Sequence, residues 1–529
     1  MVAVAAAGSE TRGAGSRIAG AAAILLGGFV ASRLVGLARD VVISARFGTS
    51  DDLDLYFAAF RIPDTIFTLV AGGALGSALV PVFAEYRAAR HEGGLVRLAG
   101  AVFNLVALAA TLAAVLGIVF APQYVPWVFG FTPEQEARLV MLVRVMLLQP
   151  VLFGLGEVVT RYLNVHQHFV YPAIAPTLYN LAIIAAALAL GPSLGTLGLA
   201  LGVVAGALAY FLVQVPAAAA LGFRWQPALD LHEPALRQIA RLMLPRLIGQ
   251  GAVQLSFIFT TGLASFLPSG RVAALNFAWV LMMLPLGTFA MSMAGAAFPT
   301  LAEQAARGEH RALAATVRRT LGMIQFVMVP SALGLIVAGL PLVQTLFQHG
   351  AFTAESSAIT AAALTFYAMG LPAHGAIEIL TRAFYALQDT RTPVTLGVLA
   401  MAANVALASL LIVPLAEPLA HVGIAIALSA SATAEALVLL LLLRRRLPGV
   451  LTLSLVWSLS RTVLAGLVMA AAAAFALAVT RLILHLPPIV QTASAVATGG
   501  ATYAAAAFVL RSPDLHDVLR MARRRLGKT

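Results

Sequence analysis

Ionisable side chains stand in this sequence inside runs that are otherwise apolar, and their types suit holding an anion rather than making bonds. Arg33 and Arg39, followed by Asp40, lie in the first run; Arg61, Pro63 and Asp64 in the second; Arg246 in the seventh. A guanidinium stays charged at physiological pH and donates hydrogen bonds in a planar fork that fits a phosphate or diphosphate. A wet chamber edged by Arg33, Arg39, Arg61 and Arg246 would gather a polyanion. Six residues separate Arg33 from Arg39, so on a helix they diverge by about 120° and flank a cavity rather than share a stripe. The competing explanation is snorkelling to headgroups or a structural ion pair, and it bears most on Arg61, Arg161 and Arg382.

Glu157/Arg161 and Glu378/Arg382 are spaced four apart, the favourable helical pairing, and read as structural partners. Asp40 pairs elsewhere or sits at the membrane interface. Pro63 kinks its helix, and Gly72, Gly73 and Gly76 add flexibility beyond it. Glu435, in the twelfth run, is a candidate for coupling to an ion. His166 and His168 sit in a loop with no carboxylate cluster near them, and His374 reads as packed rather than metal-bound. No HExxH, GxSxG or Walker A pattern occurs, so the sequence offers no enzyme constellation, and no metal or cofactor is expected.

The elements that must position these residues are membrane spans. Of 529 residues, 60% are hydrophobic and 11% charged, against roughly 25% charged in a soluble domain. With no cysteine, disulfide frameworks and thiolate metal sites are excluded. A span needs about 20 apolar residues. Fourteen segments qualify: 18–43, 55–83, 99–121, 138–163, 171–190, 195–221, 238–267, 272–301, 316–339, 356–386, 393–414, 420–443, 457–480 and 488–510. Gly191–Leu194 and Pro268–Gly270 read as tight turns. Arginines crowd every second connection, among them Arg87, Arg97, Arg224, Arg237, Arg241, Arg311, Arg318, Arg391 and Arg444–Arg446, which puts both termini in the cytoplasm of a bacterial inner-membrane protein. The basic excess is a topology signal, and no nucleic acid is implied.

The chain also repeats itself. Glu157, Thr160, Arg161, Gln167 and Pro172 recur as Glu378, Thr381, Arg382, Gln388 and Pro393, all at an offset of 221. Arg33–Gly36 recurs as Arg246–Gly249, and Pro81 with Glu85 as Pro299 with Glu303. Six spans separate the copies, so they run in parallel about an axis along the membrane normal. The expected fold is an all-α polytopic membrane protein with a cytoplasmic leader at 1–17, a six-helix lobe at 18–222, a linker at 223–237, a second six-helix lobe at 238–443, two additional helices at 444–510, and a basic tail at 511–529.

The stretches Ser32–Asp40, Phe47–Gly48, Phe60–Pro63, Val80–Tyr86, Leu346–Thr353 and Phe384–Val394 resemble the signature of the MviN/MurJ family of the multidrug/oligosaccharidyl-lipid/polysaccharide exporter superfamily, and the resemblance runs through essentially the whole chain. It implies a flippase that carries lipid II, the undecaprenyl-diphosphate-linked peptidoglycan precursor, from the cytoplasmic to the outer face by alternating access. It further implies that Arg33 and Arg39 engage the anionic head, that Asp54 matches a family aspartate, and that the polyprenyl tail lies along spans thirteen and fourteen. The expected partners are this lipid-linked anionic substrate and membrane lipids, with the cell-wall synthesis machinery as a candidate, and the chain is expected to act as a monomer. Residues 64–68 and 277–285 lack charges the family commonly carries there. The alternatives are therefore another polyprenyl-linked glycan as cargo or a non-transporting scaffold for cell-wall enzymes.

Overall fold

The computed structural model describes residues 24, 27–89, 92–226, 234–415 and 419–515, with the side chains at 73, 74, 77, 92, 242, 244–246 and 248 excepted. The expected leader, most of the basic tail and part of the 223–237 linker lie outside the described residues. Among the described residues, helices occupy all fourteen predicted segments, and no strand occurs.

In chain order the helices are α1 (27–47), α2 (Asp51–Val70), α3 (Gly73–Ala88), α4 (Glu92–Val128), α5 (Pro133–Met146), α6 (Leu148–Val165), α7 (Val170–Ala189), the single turn α8 (Gly191–Leu194), α9 (Thr196–Leu212) and the short α10 (Val215–Ala220). There follow α11 (Pro234–Ser265), α12 (Arg271–Pro285), α13 (Met291–Ala306), α14 (His310–Phe347), α15 (Ala354–Met369), α16 (Leu371–Ala386), α17 (Arg391–Ile412), α18 (Val422–Arg446), α19 (Leu453–Ala478) and α20 (Pro488–Val509). Among the described residues, nine helical stretches are individually long and apolar enough to cross a membrane. The other predicted spans are interrupted in composition or backbone. The first carries Arg33, Arg39 and Asp40, the second breaks at Ala71–Gly72, and the tenth breaks at Gly370. Lipid as solvent explains the surface. Leu108, Leu112, Val115 and Val119 recur along one face of α4 and are all about half exposed, a stripe that water would penalise and acyl chains accept.

The chain divides into two compact units, residues 1–47 with 51–258 and residues 48–50 with 259–529, the division falling inside α11. Within the first unit α2 packs on α5, α3 on α4 and α6, α4 on α5 and α6, and α9 on α5, α6 and α7. Within the second, α12 packs on α15, α13 on α14 and α16, α14 on α15 and α16, and α18 on α15, α16 and α17. The same neighbours recur in the same order, which is the internal repeat expressed as packing. α19 and α20 stand outside it and pack on each other and on α14.

Local chemistry repeats too. Gln167 and Gln388 both adopt left-handed φ, +61° and +59°, a conformation that costs any residue with a Cβ. In both copies the turn is held by the same pair of backbone bonds, Gln167 N–H to Asn164 O with His168 N–H to Leu163 O, and Gln388 N–H to Tyr385 O with Asp389 N–H to Phe384 O. The copies differ at their second helix. Between α2 and α3 the chain opens into a turn at Ala71 and Gly72, whereas α12 runs into α13 through a π-helical turn, Leu286–Ala290.

Candidate substrate-binding site

Arg33 and Arg39 diverge as their spacing predicts. Arg33 is exposed, its guanidinium 5.2 Å over the ring of Phe29 one turn earlier. Arg39 turns toward α7. Its Nε and Nη2 donate to Asp40 Oδ1 at 3.0 and 2.8 Å, and its Nη1 donates to Asn180 Oδ1 at 3.0 Å. Asn180 in turn donates from Nδ2 to Pro176 O at 3.0 Å. The Asp40 side chain is 4% exposed. Adjacent residues on a helix normally point apart, and only the length of the arginine side chain lets it fold back onto its neighbour's carboxylate. The expectation that Asp40 pairs elsewhere or sits at the interface is therefore corrected: its partner is Arg39. Of Arg33 and Arg39, the first is exposed over an aromatic ring and the second is held in a charge-assisted pair.

α2 begins with Asp51, Asp52 and Asp54 in its first turn, where the helix N-terminus favours negative charge. Asp54 is buried, and Asp52 pairs with Arg138 of α5. Arg61 lies half-buried with its guanidinium 5.3 Å over the ring of Phe257 in α11. Pro63 is buried within α2, and Thr65 Oγ1 donates to Arg61 O at 2.7 Å beside it. One turn on, Gln254 Nε2 of α11 donates to Asp64 Oδ2 at 3.3 Å and to Thr68 Oγ1 at 3.1 Å. The helix then stops. Gly72 is extended, and a Cβ there would stand 2.5 Å from Thr68 O, so only glycine fits. Gly73 opens α3, and its surroundings lie outside the described residues. Gly76 gives room for a neighbour, because a Cβ there would meet the Arg161 guanidinium at 2.7 Å.

Glu157 and Arg161 form the expected ion pair. Around it runs a chain of polar groups that spacing along the sequence does not reveal. Tyr210 OH donates to Glu157 Oε1 at 2.7 Å, Thr160 Oγ1 donates to Gln214 Oε1 at 2.7 Å, and Gln214 Nε2 donates to Tyr210 O at 2.9 Å. Glu378 and Arg382 pair at 2.5 Å in the second unit. Arg246 falls on α11, and its side chain lies outside the described residues. His374 is half-buried and packs edge-on to Trp279. Asn180 and Gln254 were legible only as polar residues inside apolar runs; their partners are 141 and 190 residues away, beyond any periodicity.

The chain as a whole is similar to known proteins. A family model described as "Lipid II flippase MurJ" matches residues 43–490. The probable lipid II flippase MurJ of Vibrio cholerae is 31% identical over 456 residues, covering 83% of this chain and 86% of that protein. The lipid II flippase MurJ of Burkholderia cenocepacia is 32% identical over 376 residues, covering 69% and 73%. Among solved structures, a lipid II flippase MurJ in an inward closed conformation superposes with a TM-score of 0.77 at 22% identity, over 94% of this chain and 99% of that one. A MATE family transporter of the MOP superfamily in an inward-facing conformation gives 0.67 at 17% identity, over 79% and 95%. The two structures share the fold; the family model and the two relatives settle kinship, and the chain belongs to the lipid II flippase MurJ family.

Proposed function

We propose that this chain flips lipid II across the cytoplasmic membrane by alternating access, for cell-wall synthesis. The observation that carries this reading is the family match across residues 43–490. The chain is a multi-pass membrane transporter, and it acts by binding and moving charge rather than by making bonds. In this reading Arg33, exposed on α1, meets the diphosphate first. Arg39 then exchanges the Asp40 carboxylate for a phosphate oxygen, one charge-assisted pair for another, so Asp40 both holds the resting arginine in place and releases it. Arg61, Arg246 and Asp54 complete the binding set, and Gly72 and Gly73 form the joint about which α3 swings on α2. Glu157 and Glu378 brace their lobes through Arg161 and Arg382. Both termini lie in the cytoplasm, with Arg444, Arg445 and Arg446 at that face.

The test is complementation by the full-length chain in a strain depleted of its own lipid II flippase. Wild type restores growth and clears lipid II from the inner leaflet. Arg39→Ala lowers the translocation rate ten-fold or more, a barrier increase of at least about 1.4 kcal/mol. Wild type that restores neither, or an Arg39→Ala chain that flips at the wild-type rate, overturns the reading.

A further inference from the structure

Each copy of the repeat closes with a helix laid on the two before it, α9 on α6 and α7, α18 on α16 and α17. Two glycines fix the register between these closing helices. A Cβ at Gly198 would stand 2.9 Å from the carbonyl carbon and Cβ of Leu190, and one at Gly423 would stand 3.1 Å from the same atoms of Leu411. Leu190 and Leu411 differ by 221, the offset of Glu157 and Glu378, but Gly198 and Gly423 differ by 225. The connection after Leu411 takes up the four additional residues. Glu435 thereby occupies the place of Tyr210, and Ser431 the place of Gly206.

The substitution changes the chemistry of the site. In the first copy Tyr210 supplies a hydroxyl to Glu157. In the second, Glu378 has its pair with Arg382, and the closing helix brings a carboxyl instead. Glu435 is half-buried, with Oε1 3.7 Å from where a Cβ on Gly397 of α17 would stand. Among the described residues it forms no hydrogen bond or ion pair. One turn earlier on the same face, Ser431 is 3% exposed and its hydroxyl has no partner among the described residues. The titratable groups on the elements packed against α18 are Arg391 at the start of α17, His374, Glu378, Arg382 and Tyr385 on α16, and Glu355 and Tyr367 on α15; none is bonded to Glu435. Glu435 lies nine residues before the Arg444–Arg446 belt, about 14 Å along the helix, near the middle of the hydrocarbon.

We propose that Glu435 is a proton-binding site of the transport cycle, with Ser431 as its relay to water. The inference rests on the flippase reading and names the ion that couples to it. A carboxylate at this depth without a partner does not stay charged. It takes a proton from water on one side of the membrane and is neutral while α17 covers it. It returns that proton to water on the other side and is a carboxylate while wet.

Two measurements on the full-length protein test this. Dicyclohexylcarbodiimide, which reacts with protonated carboxyls in apolar surroundings, is applied to the protein in nanodiscs from about pH 6 to about pH 9, and adducts are located by mass spectrometry. Labelling at Glu435 falls several-fold as the pH rises. In proteoliposomes carrying fluorescent lipid II, an imposed pH gradient speeds wild-type translocation several-fold, while Glu435→Gln runs at one rate with or without it. Labelling that is absent or indifferent to pH, or a Glu435→Gln chain that keeps the wild-type gradient response, overturns the proposal. If wild type moves no lipid II at all, the flippase reading falls, and the labelling profile alone decides whether Glu435 binds a proton.

Discussion

Glu157 and Glu378 sit on equivalent helices of the two units, each four residues before the arginine it pairs with, yet their surroundings have diverged. The first is enclosed by hydroxyl and amide groups from α6, α9 and the turn after α9, with Tyr210, Thr160 and Gln214 joined to one another. The second faces a helix whose matching position holds a carboxyl with no bonded partner among the described residues. The same division runs through the second helix of each copy. α2 carries Asp51, Asp52, Asp54, Arg61 and Asp64, whereas α12 carries no charge after Arg271. A duplicated backbone has thus been kept for packing while its ionisable groups were distributed unequally. The described arginines proposed to meet the anion, Arg33, Arg39 and Arg61, belong to the first unit, and Glu435, proposed to exchange a proton, belongs to the second.

That comparison can be attacked at its register. If α9 and α18 are equivalent with a four-residue displacement, the two glycines that set it should respond alike and in a fixed order. Gly198→Ala forces a Cβ onto the Leu190 backbone and should cost about 1–3 kcal/mol, with Gly423→Ala, whose clash is looser, costing less. Thermal melts of the purified protein in detergent check both; a cost at Gly423 exceeding that at Gly198 would undo the alignment that places Glu435 on Tyr210.

A smaller effect sharpens the contrast between the polar clusters. Tyr210→Phe removes a donor from Glu157 and should destabilise by about 0.5–1.5 kcal/mol. Glu435→Gln removes no bonded partner and should leave the melting temperature near that of wild type. Equal losses in the two variants would mean that the second cluster is as fully bonded as the first.

The smallest effect concerns the turn before α17, where the copies also differ. Asp389 accepts from Thr392 N–H at 3.0 Å, Thr392 Oγ1 at 2.6 Å and Arg446 Nη1 at 2.8 Å, while the first copy has His168 at this point. Partial burial pushes the Asp389 carboxyl up, but the Thr392 bonds and the Arg446 charge outweigh it and hold the carboxyl below its ordinary range. A carboxyl lowered by folding stabilises at neutral pH, and its contribution fades as the pH falls from the ordinary carboxylate value through the lowered one. Melting temperature should therefore drop below about pH 4 in wild type, and Asp389→Asn should flatten that part of the profile. An unchanged acid limb in the variant would show that the Asp389 carboxylate and its bonds to Thr392 and Arg446 contribute nothing measurable.

Composition alone settled that this chain lives in lipid, because so few charges and so many apolar residues leave no aqueous fold open to it. The length of apolar runs located all fourteen helical segments, and the repeated Glu–Arg pairs and Gln167/Gln388 exposed the duplication, because helical pairing and left-handed turns are local and leave local marks. Partnership was not local. The 100° step between adjacent helical residues gave no hint that Arg39 folds back onto Asp40, and nothing in sequence spacing joins Arg39 to Asn180 or Asp64 to Gln254. The displacement of α18 was equally hidden, since a run of Ala, Leu and Ser aligns with its copy at several offsets. Only the close approach of Gly198 to Leu190 and of Gly423 to Leu411 chose between them, because backbone-to-backbone contact tolerates no side chain at one register and would not require glycine at another.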